Sequence, residues 1–400
     1  MNEPGMRHLR AFSVVAELGT LAAAGRRLQR STSSISRSIS LLERACAAQL
    51  LYRGAAEFTP TPEGRLALVR CDRILAEMDG CRSLLLRSLR APVRSNAAFF
   101  DMQTDLAHLR ALKAVHEMGS IQRAARVLGL SQPAVSYSIR LLEADVGAEL
   151  FSRMHSGMIV TPVGATLALT ARRVLAEIVR LSDDLRSMDG PSTGVVRVGG
   201  LAYSRSAILP EAIRQTLAEN PAIVIRTVEG PIDTLLAALH GDQIDVVICA
   251  YPDRTLLDGI TVEPVAADRM ALFVSHTHPL ARRKGVTLKD VATYPFILPP
   301  AGSITRAHLE GTFREAAVAM PVGRAETSSF TVIRNLLLGG EMIAFRSSRE
   351  FSTKNLDRHI VELDLATALP DRTICILLRR NLRHTQAVSE FLSVVRQVSP

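Results

Sequence analysis

Displaced by one hundred residues, the chain comes into register with itself. His8-Leu9-Arg10-Ala11 falls on His108-Leu109-Arg110-Ala111, Leu41-Leu42-Glu43 on Leu141-Leu142-Glu143, Thr61-Pro62 on Thr161-Pro162 and Arg73 on Arg173. No gap is needed from 8 to 77, and 27 of those 70 positions are identical. A match of that density means two copies of one module in the first half of the chain. The second copy reads more clearly. Leu109, Leu112, Val115, Ile121, Ala124, Ala125 and Leu128 recur at helical spacing, and Gly119-Ser120 interrupts them, so two short helices meet at an angle. Gly129 then suits a left-handed turn, Ser131 the cap of a third helix and Pro133 its first turn.

In that third helix Ala134, Val135, Ile139 and Leu142 are expected to face the core, and Gln132, Ser136, Tyr137 and Arg140 to point outward. Short polar residues at the N-terminal end of an exposed helix can approach base edges while arginines and backbone amides grip phosphate. The candidate DNA-reading set is Ser131, Gln132, Pro133, Ala134, Ser136, Tyr137 and Arg140. An ordinary surface helix of an all-α bundle could share the helical pattern but has no need of the longer run. Ala124-Ala125, Leu128, Ser131 to Ser136, Ile139-Arg140, Leu142-Glu143, Gly147, Leu150-Phe151, Arg153 and Thr161-Pro162 with Gly164 follow in order. That run resembles the winged helix-turn-helix of LysR-type transcriptional regulators. The resemblance implies that Arg153 meets phosphate near the wing.

The copies are not equivalent. Copy one has Gln29 for Gly129, Thr32-Ser33 for Gln132-Pro133 and Ala47 for Gly147, and its wing, 54–58, carries the acid Glu57. By motif, copy two is the better reader. By charge the order reverses, since 6–65 hold nine Arg against four Glu, while 106–165 hold five Arg and one Lys against four acids. Arg30, Ser31, Thr32, Ser33, Ser36 and Arg37 are the corresponding candidates in copy one, which is either a second, looser DNA contact or a structural paralogue.

Each wing is followed by a long helical pattern opened by Thr-Pro, from 62 to about 89 and from 162 to about 188, with Leu175, Ile178, Val179 and Leu185 as an apolar stripe in the second. In the resembling family such a helix pairs with its counterpart in a second subunit, which implies a dimer or tetramer. Packing on its own domain is the alternative. Duplication adds a third arrangement, in which copies one and two pair within one chain across the segment 91–105.

At 191–194 small polar residues break the helical period, and strands alternate with helices thereafter. Strands are expected at 195–198, 223–228 and 245–250, then at 271–275, 296–298, 342–345 and 373–378. Helices are expected at 208–219, 231–240, 306–317, 329–338 and 385–397. Two parallel βαβ halves follow, about 194–267 with 380–400 and about 268–379, and the last strand and helix return to the first half. Leu209-Pro210, Gly241 with Ile244-Asp245, and His278-Pro279-Leu280-Ala281 resemble the family's effector-binding domain, shaped like a periplasmic solute-binding protein. The fold class is multi-domain: two helical winged modules with linker helices (1–90 and 106–190), then an α/β effector domain over 191–400. In such open folds a ligand sits beyond the carboxyl ends of strands, where helix N-termini meet an anion. Tyr203, Ser204, Gly230, Pro231, Gly302, Ser303, Arg306, Ser328, Ser329 and Arg346 occupy such positions, and their hydroxyls and arginines suit a small organic acid.

Net charge is +9, and the excess lies at the start: 15 Arg against 8 acids in 1–100, but 23 basic residues against 21 acids in 191–400. That distribution fits a polyanion at the N-terminal end. Five scattered cysteines without CxxC spacing point to a reducing compartment, and no long apolar run exists, so a cytoplasmic protein without a membrane partner is expected. No nucleophile elbow, zinc helix, phosphate loop or dinucleotide glycine pattern occurs, so neither an enzyme nor a cofactor is expected. His276 and His278 are set aside as metal ligands, and Ser303 beside Arg306 has no base to make it a nucleophile. The expected function is regulated, sequence-specific binding to promoter DNA, with RNA polymerase as a further partner. The rival is a small-molecule-binding protein or cryptic enzyme that keeps its helix-turn-helix modules only for assembly.

Overall fold

The computed structural model describes residues 5–54, 57–88, 93–154, 157–188, 192–200, 208–251, 257–352 and 359–399, apart from the side chains of 88, 153, 154, 157 and 352. The chain forms two compact units, Met1–Pro191 and Ser192–Pro400.

In the first unit the repeat becomes two structurally parallel modules. Copy one runs α1 (Met6–Leu18), α2 (Leu21–Leu28), α3 (Thr32–Cys46), β1 (Leu51–Arg53), β2 (Phe58–Pro60) and α4 (Pro62–Ser83), closed by a π-helical turn, Leu84–Ser88. Copy two runs α5 (Leu106–Met118), α6 (Ile121–Leu128), α7 (Gln132–Val146), β3 (Phe151–Met154), β4 (Gly157–Val160) and α8 (Pro162–Arg186). Thr20 and Ser120 cap α2 and α6, Ser31 and Ser131 cap α3 and α7, and Thr61 and Thr161 cap α4 and α8. Glu43 and Glu143 accept the Leu50 and Leu150 amides at 3.0 and 2.9 Å, tying each third helix to its wing.

Copy two ends α6 and α7 on Gly129 and Gly147, with φ of +66° and +80°. Copy one holds the same left-handed conformation with Gln29 and Ala47, both at φ +52°. A side chain there costs of order 1 kcal/mol relative to glycine, so copy one keeps the turn against its local preference. Its shape is imposed by the surrounding core.

That core is continuous from Met6 to Leu185 and joins both copies. Residues 93–105 are part of it, with Phe99, Phe100 and Met102 buried. Asp145 accepts the amides of Ala98 and Phe99 at 2.8 and 2.9 Å, and Arg94 reaches the carbonyl of Ala144 at 3.0 Å, so the connector is clamped to the end of α7. The long helices α4 and α8 pack against each other within the chain. Arg70 bonds Glu177 at 2.9 Å and Asp184 at 2.8 Å, Glu77 meets Arg173 at 3.0 Å, and the Cys81 thiol lies beside Thr170. Partners descend along α8 as numbers rise along α4, so the pair is antiparallel. The apolar stripe of α8 is Val174, Ile178, Leu181 and Leu185, with Leu175 half-buried; Val179, expected in it, is exposed. It lies one residue beyond the inward edge of the 3.6-residue period.

The second unit contains β5 (Gly194–Gly200), α9 (Ile208–Glu219), β6 (Ile223–Val228), α10 (Ile232–His240), β7 (Val246–Ala250), β8 (Ile260–Asp268), β9 (Met270–Ser275), α11 (Leu288–Val291) and β10 (Phe296–Leu298). It continues with α12 (Ile304–Glu315), β11 (Gly323–Glu326), α13 (Phe330–Leu338), β12 (Ile343–Ser347), α14 (Ser348–Ser352), β13 (Ile360–Glu362), β14 (Arg372–Arg379) and α15 (Gln386–Val398). Two five-stranded sheets result, ordered β6-β5-β7-β14-β8 and β11-β10-β12-β9-β13. β5 is parallel to β6 and β7, and β10 to β11 and β12; β8, β9, β13 and β14 pair antiparallel to their neighbours. The chain returns to the first sheet through β14, so the boundary expected at 380 falls earlier, ahead of Arg372. β8, β11 and β13 were not foreseen. Where β8 carries the chain out of the first sheet, its last residue, the fully buried Asp268, accepts from Ser347 at 2.5 Å and Arg372 at 2.7 Å, and Arg372 also reaches Thr305 at 3.0 Å. This network ties the ends of β8, β12 and β14 to α12.

Among the described residues no helix is long and apolar enough to cross a membrane, and no cluster of three or more potential metal ligands occurs. His278 is buried, and its Nδ1 accepts the Leu280 amide at 3.1 Å, so it stabilises a turn.

Candidate nucleic-acid interface

Helix α7 is held from behind. Val135, Ser138, Ile139, Leu142 and Val146 face the core, which leaves Ser131, Gln132, Pro133, Ala134, Tyr137 and Arg140 exposed and Ser136 half-buried. Two readings change. Ala134, expected in the core, stands in the first turn, where the helix overhangs the body of the module. Ser138, not foreseen as buried, meets its polar need by donating to the Ala134 carbonyl at 3.1 Å. The Ser131 hydroxyl accepts the Ala134 amide at 3.3 Å, and no acid stands in the first turn. The remaining amides therefore face solvent in a positive helix-end field that favours phosphate.

Copy one builds the same platform with different chemistry. Ser31, Thr32, Ser33 and Arg37 are exposed, Ser36 is half-buried, and Ile35, Ser38 and Ile39 are buried. Ser31 accepts the Ser34 amide at 3.2 Å, again without a first-turn acid. Arg30 donates from one guanidinium nitrogen to Ser34 and Ser38 hydroxyls at 2.8 and 2.9 Å, which fixes its charge over the start of α3. In copy two the corresponding residue is the half-exposed Leu130. Arginine stands at 37 where copy two has Tyr137, and serine at 40 where copy two has Arg140. Burial first, then the charges of Arg7 and Arg30, push the His8 imidazole below its ordinary range, so it is neutral near pH 7. The two heads share a shape but not a donor pattern.

The wings are short antiparallel hairpins, Leu51↔Pro60 and Phe151↔Val160. Arg53 is exposed, 3.9 Å from Glu43. The side chain of Arg153 lies outside the described residues.

In the second unit, Tyr203 and Ser204 lie outside the described residues. Gly302-Ser303, Ser328-Ser329 and Arg346 come together at the carboxyl ends of the adjacent parallel strands β10, β11 and β12; Gly230-Pro231 follows the edge strand β6 of the other sheet. Ser303 and Ser329 cap α12 and α13, accepting the Arg306 and Val332 amides at 3.2 and 3.4 Å. Both arginines are already engaged. Arg306 bonds Glu310 at 2.7 Å and the Pro299 carbonyl at 3.3 Å, and buried Arg346 bonds Glu350 at 2.6 Å. Each carboxylate lies four residues on, a spacing that sequence alone could have shown.

Comparison with known proteins matches these units. The family model for the bacterial regulatory helix-turn-helix protein, lysR family, fits 6–65 and again 106–165, and that for the LysR substrate binding domain fits 189–400. The HTH-type transcriptional regulator GalR of Pseudomonas putida is 33% identical over 395 residues, covering 99% of this chain and 97% of its own. The uncharacterized HTH-type transcriptional regulator YdcI of Escherichia coli is 29% identical over 76% of this chain and 98% of its own. A full-length OxyR of Pseudomonas aeruginosa (TM-score 0.59, 19% identity) covers 74% of this chain and 96% of its own. CbnR, solved with its target DNA, covers 74% and 100% at TM-score 0.55 and 22% identity, and like OxyR it shows likeness of fold. The match to family models at both ends, and to GalR almost end to end, establishes that this chain belongs to the LysR family of transcriptional regulators.

Proposed function

We propose that the chain binds promoter DNA through both α3 and α7, with α7 the principal sequence reader, and that a small effector in the second unit controls the binding. The observation that carries this is the pair of exposed, serine-capped, acid-free first turns on helices buried along their opposite faces. In this reading Gln132, Ser136 and Arg140 meet base edges or backbone, Tyr137 stacks or packs beside them, and the main-chain amides of Pro133-flanking residues and Arg153 hold phosphate. Arg30, Ser31, Thr32, Ser33, Ser36 and Arg37 form a second contact weighted toward charge. The effector, an organic-acid-like molecule, meets Gly302, Ser303, Ser328 and Ser329 at the N-terminal ends of α12 and α13, whose first turns also lack acids. With Arg306 and Arg346 held by Glu310 and Glu350, hydroxyls and amides rather than free guanidinium groups do the binding. Gly230 and Pro231, after β6, complete the set from the other sheet, and Tyr203 and Ser204 are kept as candidates on their sequence position alone. Promoter binding in the cytoplasm places RNA polymerase among the partners, and the second units assemble two or four chains.

The test is salt dependence. Affinity for duplex DNA flanking the gene, followed by fluorescence anisotropy, is expected to fall roughly a thousandfold or more between about 50 and 200 mM salt, as counterions released by several phosphate contacts require. Weak binding with a flat salt response favours the rival reading, in which the modules serve assembly alone.

A further inference from the structure

The contacts between α4 and α8 carry an internal two-fold relation. Arg73 approaches Glu177 at 3.6 Å and Arg173 approaches Glu77 at 3.0 Å. A shift of one hundred exchanges the two pairs. Reciprocity of this kind, residue i with j and j with i, marks a two-fold interface, here between two halves of one chain.

One part of the interface breaks that symmetry. Arg70, fully buried, bonds Glu177 and Asp184, and Arg180 bonds Glu177 from the same helix at 2.9 Å. The positions one hundred away are Thr170, Glu77, Leu84 and Gly80. Were α8 to pair with α8 of a second chain, Thr170 would stand where Arg70 is, and its hydroxyl already donates to the Thr166 carbonyl at 3.0 Å. Glu177 and Asp184 would then lose the buried guanidinium, twice over. Were α4 to pair with α4, Arg70 would face Leu84 in place of Asp184. Only the mixed pair supplies both partners, and losing one member of a buried pair costs more than the pair itself contributes.

We propose that Arg70, Glu177 and Asp184 form a pairing code by which α4 selects α8 of its own chain over a second copy of itself. One polypeptide thereby closes its own two-headed arm and offers two non-identical recognition helices to a single DNA site. The last clause rests on the DNA-binding reading above; the pairing does not.

The test uses the full chain with Thr170→Cys, which places a thiol beside native Cys81 on α4. Isotopically heavy and light chains, mixed after folding under assembly conditions and also co-refolded, are oxidised with diamide, and the Cys81-linked peptides are read by mass spectrometry. The expected product migrates as a monomer and contains only unmixed pairs in both samples. Mixed pairs at the statistical half in the co-refolded sample, in a species of dimer mass, overturn the proposal, as does the absence of any bridge. Adding Arg70→Thr is expected to slow bridging at least about tenfold and to raise the mixed product; unchanged bridging refutes the code. Asp184→Leu, the residue of copy one, is expected to restore bridging to the Arg70→Thr chain, which separates loss of the code from simple misfolding. Because no DNA enters, failure here leaves the salt experiment untouched, and the reverse.

Discussion

Replacing Arg70 by methionine is expected to cost the first unit about 3 kcal/mol, the lower end for removing one partner of a buried ion pair. The volume is nearly kept, so little of the loss is cavity. Asp184 loses the guanidinium at 2.8 Å, while Glu177 retains Arg180 at 2.9 Å and the nearby Arg73, which holds the cost below the upper end. Hydrogen exchange of the α4 and α8 amides reports it directly, with protection falling about a hundredfold in both helices together. Asp184→Leu alone is expected to cost less, since Arg70 keeps Glu177, and the double variant to recover part of the loss, with a coupling of about 1–2 kcal/mol. Additive losses would show that Arg70 acts through packing.

Gly64→Ala and Gly164→Ala are expected to destabilise by about 3 kcal/mol each, and by equal amounts. A Cβ on Gly64 would lie 2.0 Å from the Leu50 carbonyl oxygen, and one on Gly164 2.0 Å from that of Leu150. Neither carbonyl can retreat. The Leu50 and Leu150 amides are held by Glu43 and Glu143, and their carbonyl oxygens accept the amides of Thr61 and Thr161 at 3.1 and 3.0 Å. Gly80→Ala, in the last turn of α4, meets nothing within 4 Å and is expected to stabilise by roughly 0.5–1 kcal/mol through helix propensity alone. Urea unfolding of the three variants followed by helical circular dichroism checks both signs. A mild Gly164→Ala would mean that the helix start can slide away from the wing.

The repeat made the modules legible because it preserves what each fold step needs: a hydroxyl before each third helix, Thr-Pro before each long helix, and a glycine where helix and wing nearly touch. Arg70 was not legible. Its partners lie more than a hundred residues away, and the feature that matters, a charge in one copy opposite carboxylates in the other, disappears when the copies are read for similarity. The strand β8 was missed because Pro264 sits inside it, at the register shift between Ile374 and Cys375; proline within a run argues against a strand unless a bulge admits it. β11, Gly-Arg-Ala-Glu at a sheet edge, has no apolar pattern to detect. The Ala134 error came from extending the core period into a first turn that overhangs. At the effector positions, sequence identified the caps but took Arg306 and Arg346 as available charge, when Glu310 and Glu350 stood one helical turn on.

The central claim, that one chain of this regulator family carries two working readers, is tested most directly by a protection footprint on DNA flanking its gene, with wild type, Arg37→Ala and Arg140→Ala compared at saturating protein. Each substitution removes a contact worth about 1–3 kcal/mol if it meets a base. The expected result is that Arg37→Ala loses one part of the protected stretch and Arg140→Ala a different part. A footprint left whole by Arg37→Ala and abolished by Arg140→Ala would make copy one a structural partner of copy two and contradict the claim.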